Sequence, residues 1–199
     1  MIPDLTGIVL AGGKSSRFGA NKALAPWRGA ALVSGVVESL LGVLPRVLVV
    51  AKERTELMFL EKESVRVETD LYLEGHPLGG IRTGLEAIET RRAFVCACDM
   101  PLVAPNLISE LWEARSGYDA VIPVWEGKRQ PLCGIYSKIC SGVIRTAIED
   151  GQLEIGRLFD VVNTRFFLEE EIRAVDPEGR SFQDIDTRED FERIRGLAP

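Results

Sequence analysis

From Leu10 to Lys22 the chain reads Leu-Ala-Gly-Gly-Lys-Ser-Ser-Arg-Phe-Gly-Ala-Asn-Lys, a glycine pair trailed by cations. Backbone N–H groups of a glycine-rich turn can reach anionic oxygens only where no Cβ stands in the way. Gly12 and Gly13 therefore read as a phosphate cradle, with Arg17 and Lys22 placed to follow negative charge along a triphosphate. Two better-known phosphate loops do not fit. A P-loop places four residues between its first glycine and Gly13-Lys14-Ser15, but position 8 is Ile and Gly7 comes one residue too early. The dinucleotide fingerprint fails because Gly12 and Gly13 are adjacent and the next glycine is Gly19. A plain tight turn would also use a glycine pair, yet it leaves the cations and the loop length unexplained.

Three acidic positions could serve the same ligand. Asp99 follows the uncharged run Ala93–Cys98 and stands two residues before Pro101. A carboxylate ending a buried strand beside a triphosphate is suited to Mg²⁺, which takes hard oxygens from one or two carboxylates and from phosphates. Asp99 lies too early to cap the helix expected near Pro105. Asp70 also ends a strand, where it either hydrogen-bonds a ribose or base or closes an Asx turn. In Asp184-Ile185-Asp186-Thr187, Thr187 stands in capping-box order before Arg188-Glu189-Asp190. That leaves Asp186 free to face the rim as a second metal ligand or as a neighbour of the acceptor phosphate. Lys128 and Arg129 could meet an anionic second substrate, or simply decorate an exposed connection.

Strand-like runs alternate with helical spacing along most of the chain. Leu5–Leu10, Val47–Ala51, Val65–Glu68, Ala93–Cys98, Ala120–Val124 and Leu132–Tyr136 read as strands. Helical patterns occupy Ala31–Leu41, a short piece near Glu56–Glu61, the stretch from Ile81 through Leu85 and Ile88, the residues around Leu107–Trp112, and Ser137–Glu149. Leu71–Gly80 and Trp125–Pro131 read as loops. The tail offers strand-like Arg165–Leu168 and Ala174–Val175, then a helix near Arg188–Arg195. The βαβα order implies an α/β fold in three layers, a mostly parallel sheet with helices on both faces. Ligands of such sheets bind beyond the carboxyl ends of the strands. That rule puts the glycine-rich loop, Asp70 and Asp99 on one rim.

The 199 residues fit one domain, and 27% charged with 46% hydrophobic residues is ordinary for a globular chain. A formal charge of −6 with no basic run argues against a nucleic-acid partner. No apolar stretch approaches the ~18 residues of a membrane span, and Met-Ile-Pro-Asp-Leu does not open a signal peptide. No membrane partner and a cytoplasmic location are therefore expected. Cys96, Cys98, Cys133 and Cys140 lie in apolar surroundings and read as buried free thiols. His76, the single histidine, precedes Pro77 in a loop and reads as solvated rather than catalytic.

These stretches together carry a resemblance. LAGGKSSRFGANK, Asp70 with the later Gly75-His-Pro-Leu-Gly-Gly, CDMP, QPLCGIYSK and the terminal FQDIDTREDF resemble the molybdenum cofactor guanylyltransferase family over nearly the whole chain. The opening motif alone marks the wider nucleotidyltransferase superfamily; its combination with PLGGI and QPL…Y is more specific. The resemblance implies a Rossmann-like nucleotidyltransferase fold in a single domain spanning residues 1–199. It implies Mg²⁺-dependent transfer of GMP from GTP to the terminal phosphate of molybdenum-molybdopterin, with release of pyrophosphate. By matching position, Leu10, Ala11 and Gly12 would contact guanine through the backbone, beside Gly13. Lys22 would bind the phosphates, Asp70 the nucleoside and Asp99 the Mg²⁺, so that Arg17, Lys22 and Asp99 form the catalytic set. Handover to molybdenum cofactor proteins is an expectation of the same kind.

The chain departs from the family at three points. Lys52 stands where Asn is often a nucleotide contact, and Asp184-Ile185-Asp186-Thr187 replaces the common Asn-Ile-Asn-Thr. Gln152-Leu153 stands where a basic residue is frequent. The tail motif is closer to cytidylyltransferase relatives acting on the same cofactor, whereas Gly12-Gly13 is not, since those usually carry Ala-Gly. A sugar-phosphate nucleotidyltransferase and a GTP-binding regulatory module without turnover are the other readings. Joint presence of Arg17, Lys22 and Asp99 speaks against the regulatory module.

Overall fold

The structure, a computed structural model, describes residues 1–12, 21–72, 76–185 and 187–195. Gly13, Arg17 and Asp186 of the candidate set lie outside the described residues. β1 (Leu5–Leu10) is followed by a small hairpin of β2 (Pro26–Trp27) and β3 (Ala30–Ala31), then by α1 (Leu32–Leu41). Next come β4 (Val47–Ala51), α2 (Arg54–Leu57), β5 (Val65–Thr69), α3 (Pro77–Ala87), β6 (Arg92–Ala97) and α4 (Pro105–Glu113). The second half holds β7 (Ala120–Trp125), β8 (Lys128–Arg129), β9 (Cys133–Ser137), α5 (Ile139–Glu149) and α6 (Leu158–Val161). It closes with β10 (Thr164–Phe167), α7 (Glu169–Arg173) and α8 (Arg188–Arg195).

The main sheet runs in the order β10-β7-β9-β6-β1-β4-β5, with β8 paired to β7. β1 is parallel to both β4 and β6, β4 to β5, and β10 to β7. β9 is antiparallel to both its neighbours, and β8 to β7. The sheet is thus mostly parallel, as the βαβα order requires. The chain winds outward from β1 through β4 to β5, then crosses back to place β6 on the other side of β1. Such a reversal opens a crevice at the carboxyl ends of the strands.

Side chains alternate across each central strand, and each face has its own apolar cluster. Leu5, Val9, Val49, Val67, Phe94 and Cys96 face α1 and α4, where they meet Val36, Leu40, Leu107 and Leu111. Ile8, Leu48, Val50 and Val95 face α3 and α5, where they meet Ile81, Leu85, Cys140 and Ile144. Strands apolar on both faces are the mark of a sheet covered on both sides, which is why β4 reads as the unbroken run VLVVA.

Several local readings change. Gly79 and Gly80 lie in the first turn of α3, which starts at Pro77 rather than Ile81. The preset φ of proline suits a first helical position. Trp125–Pro131 contains a β-hairpin, with Glu126 (φ 49°) and Gly127 (φ 72°) making the two-residue turn. Ala174–Val175 follows α7 as a turn and forms no strand. All four cysteines are buried and free, and burial pushes the Cys98 thiol up to about 12 and the Cys140 thiol up to about 12.

The packing of α3 on β1 depends on Gly84. A Cβ there would lie 2.7 Å from both Cδ1 and Cγ2 of Ile8, and Cγ2 moves only by rotating χ1 of a fully buried β-branched side chain. Overpacking of this kind costs about 1–3 kcal/mol, against roughly 1 kcal/mol that alanine gains over glycine in a helix. Gly84→Ala should therefore lower the urea midpoint. A variant as stable as the parent would show that α3 has room to move.

Candidate active site

Four strand ends deliver the candidate residues to one rim. Leu10 closes β1, Lys52 and Asp70 follow β4 and β5 by one residue, and Asp99 follows β6 by two. The ladders continue past the strands: Ala11 N–H donates to Val50 (2.8 Å), Asp70 N–H to Ala51 (2.7 Å) and Cys98 N–H to Leu10 (3.1 Å). These bonds fix the backbone from which the charged side chains project. Because β9 is antiparallel, its entry segment Gln130-Pro131-Leu132 reaches the same rim, and Leu132 C=O accepts from Ala97 N–H at 3.2 Å.

Asp99 sits in a turn closed by Met100 N–H donating to Ala97 C=O at 3.4 Å. Its Oδ2 accepts from Lys22 Nζ at 2.8 Å, the two side chains being 22% and 13% exposed. Lys22 opens a 3-10 turn, Lys22–Leu24, capped by Asn21, whose Oδ1 accepts from Ala23 N–H at 3.1 Å. Ala23 is buried in the apolar cluster beneath. The lysine is thus aimed by a capped turn with one residue anchored in the core.

Asp70 is 5% exposed. Its Oδ1 accepts from Tyr72 N–H at 3.0 Å, which is an Asx turn, and from Thr83 Oγ1 at 3.1 Å. Thr83 Oγ1 in turn accepts from Leu71 N–H at 3.2 Å. With Oδ1 engaged, Oδ2 faces the glycines: it lies 3.8 Å from the position of a Cβ on Gly12 and 3.6 Å from one on Gly80. Burial raises the Asp70 carboxyl above its ordinary value; the Thr83 bond and the charges of His76 and Lys52 oppose the rise. Thr83 was not singled out by sequence, because a lone threonine on a helix gives no signal until its partner's position is known.

The φ of Gly12 is not in the left-handed region, and among the described residues a Cβ there would find nothing closer than Lys52 Cγ at 3.6 Å. On the side of Lys52 and Asp70 the position therefore leaves room for a ligand to come close. Gly79 is different, since a Cβ there would fall 2.5 Å from Tyr72 Cβ. His76 caps α3, its Nδ1 accepting from Gly79 N–H at 3.1 Å. This supplies the structural task that a reading of His76 as loop residue lacked.

The donors suit a hard cation. Among the described residues no cluster of three or more His, Cys, Asp or Glu side chains is present. Mg²⁺ does not need one, because it commonly takes one or two carboxylates and completes its shell with waters and substrate phosphates. Asp99, partly exposed at the strand end, fits that role.

The profile of the MobA-like NTP transferase domain family matches residues 7–164. The chain belongs to this family. As a MobA-like NTP transferase it is an enzyme, a nucleotidyltransferase. A relative from Methanosarcina mazei, called probable molybdenum cofactor guanylyltransferase, is 36% identical over 96% of this chain and 90% of its own length. The molybdenum cofactor guanylyltransferase of Desulfosudis oleivorans is 34% identical over 95% and 93%. The crystal structure of molybdopterin-guanine dinucleotide biosynthesis protein A from Archaeoglobus fulgidus superposes with a TM-score of 0.82 at 26% identity, covering 96% of each chain. The match to the family profile ends at residue 164, so α7 and α8 lie beyond it. Among the described residues no helix is long and apolar enough to cross a membrane.

The Asp70 environment carries a sign that can be tested without any ligand. Between the ordinary carboxyl value and the raised one, the folded protein keeps a proton that the unfolded chain releases. Stability therefore falls as pH rises through that window. Asp70→Asn, which keeps an oxygen for Tyr72 and Thr83, should raise the denaturation midpoint near neutral pH. The advantage should vanish below the ordinary carboxyl range. A variant less stable than the parent at pH 7 would contradict burial as the dominant influence.

Proposed function

We propose that the protein transfers GMP from GTP to the terminal phosphate of molybdenum-molybdopterin, forming the guanine dinucleotide cofactor and pyrophosphate. The observation that carries this reading is the Lys22–Asp99 pair at the carboxyl ends of the strands, on the rim to which β1 delivers Gly12. Relatives named for guanylyl transfer, similar over nearly their whole length, support guanine as the base and the molybdenum cofactor as the acceptor. The terminal motif Asp184-Ile185-Asp186-Thr187 favours CTP as the competing nucleotide, and direct comparison of the two decides.

In the proposed reaction an acceptor phosphate oxygen attacks the α-phosphorus. The bond from that phosphorus to the α,β-bridging oxygen breaks, and pyrophosphate leaves with the electron pair. The acceptor is already an anion near neutral pH, so no general base is required, in keeping with a chain whose one histidine caps a helix. Positioning and charge neutralisation then supply the acceleration. Gly12 and Gly13 admit the nucleotide, Leu10 and Ala11 present backbone groups to the base, and Asp70 holds the nucleoside through Oδ2. Lys22 and Arg17 offset charge that builds on the leaving pyrophosphate. Mg²⁺, held by Asp99 with Asp186 as candidate second ligand, would neutralise phosphate charge when bound. Handover of the product to molybdenum cofactor proteins and a cytoplasmic location complete the proposal.

Asp99→Asn should leave the fold intact and abolish pyrophosphate release from GTP and loaded acceptor. Wild-type release would remove Asp99 from the reaction. Lys22→Ala should lose transfer through weakened triphosphate contacts, and unchanged kinetics would refute its role. Because the described neighbours of Gly12 leave ordinary contact distance for a Cβ, Gly12→Ala should keep the parent's urea midpoint while GTP affinity falls. Normal affinity there would defeat the cradle.

A further inference from the structure

Lys22 and Asp99 stand on loops that share no strand pairing with each other, and the C-terminal segment touches both. Ile185 N–H donates to the Asp99 carbonyl at 3.1 Å. Upstream, Ser181 Oγ accepts from Ala104 N–H at 2.9 Å, at the far end of the same loop. Ser181 is fully buried, and its own N–H donates to Asp176 Oδ2 at 2.8 Å. On the other side, Ile185, Phe191 and Ile194 form an apolar cluster with Ala25, Trp27 and Leu32, and Leu102 packs against it. Ala25 closes the turn that begins at Lys22, and Leu102 lies three residues past Asp99. The rings of Trp27 and Phe191 meet edge to face at 5.8 Å and 78°. α8 is itself locked at its start by a capping box: Thr187 N–H donates to Asp190 Oδ2 (3.0 Å) and Asp190 N–H to Thr187 Oγ1 (3.0 Å).

We infer that Ile185 and residues 187–194 act as a strap that sets the spacing of Lys22 and Asp99, with Ile185 and Phe191 as positioning residues for nucleotidyl transfer. This rests on the proposed function and extends it to residues beyond the family match. The strap holds the Asp99 loop by a backbone hydrogen bond and the Lys22 loop by apolar contact. Its alignment is therefore read out at both groups together. Neither residue touches the nucleotide in this account.

Phe191→Ala loosens the contact to Trp27, and Phe191→Leu restores most of the apolar volume. Ile144→Ala, in the cluster on the opposite face of the sheet, provides a loss of core packing away from the rim. Amide hydrogen exchange and GMP transfer should be measured on all three beside the parent. In Phe191→Ala, exchange should quicken across 21–25 and 98–104 together while β1 and β6 keep their protection. At saturating GTP its turnover should fall up to ~10²-fold, the scale of a small misplacement of reacting groups, with Phe191→Leu recovering most of it. Turnover that falls no further than in Ile144→Ala, or exchange that quickens in only one of the two loops, would overturn the strap. The exchange measurement uses no substrate. A parent chain that transfers nothing would count against the proposed function, and paired exchange in the two loops would still decide the strap.

Discussion

Lys22 and Asp99 are 77 residues apart in the chain and 2.8 Å apart in the fold. The pair lies where a parallel sheet reverses direction, partly shielded from water, with opposite charges that an incoming nucleotide would separate. The triphosphate would draw the lysine and a divalent cation would draw the carboxylate. The pair holds both groups on the rim with their opposite charges offset. A single ion pair is one point of contact between the two loops. The apolar cluster of Trp27, Ile185 and Phe191 is the stronger agent, and the pair reports the alignment that the cluster sets.

The glycines around the rim answer to different causes. At Gly84 and Gly79 a Cβ would collide with Ile8 and Tyr72, so protein packing explains them. At Gly12 the described neighbours, Lys52 and Asp70, leave ordinary contact distance, so packing against them does not. Asp70 shows the same division within one side chain. Its Oδ1 serves the fold through Tyr72 and Thr83, while Oδ2 is turned to the cradle. Its raised carboxyl value shows that the fold bears a desolvation cost at a residue assigned to the nucleoside.

Much of this was legible in the sequence because parallel sheets write themselves plainly. VLVVA, LTGIVL and AFVCAC are apolar runs bounded by glycine or charge, and helical spacing between them fixes the βαβ order. The strand-end rule then predicts Asp70, Asp99 and the glycine-rich loop on one rim. The start of α3 was missed because Gly79-Gly80 reads as a breaker, although Pro77 is a helix-start signal. α7 was missed because Glu169–Arg173 is too short for a period to register. Thr83 and the strap were not readable for a deeper reason. Each acts through a contact across the fold, and no local pattern encodes which distant residue a threonine or a phenylalanine will meet.

The central claim is that this rim is a catalytic site for guanylyl transfer and not only a place where a nucleotide rests. The direct measurement is transfer of α-labelled nucleotide to molybdenum-loaded molybdopterin with Mg²⁺, comparing GTP with CTP. The account predicts labelled dinucleotide from GTP and none from CTP. Label from CTP alone would make the Asp-Ile-Asp-Thr tail the better guide to the base. GTP bound without label transferred would contradict the claim and leave a binding module in its place.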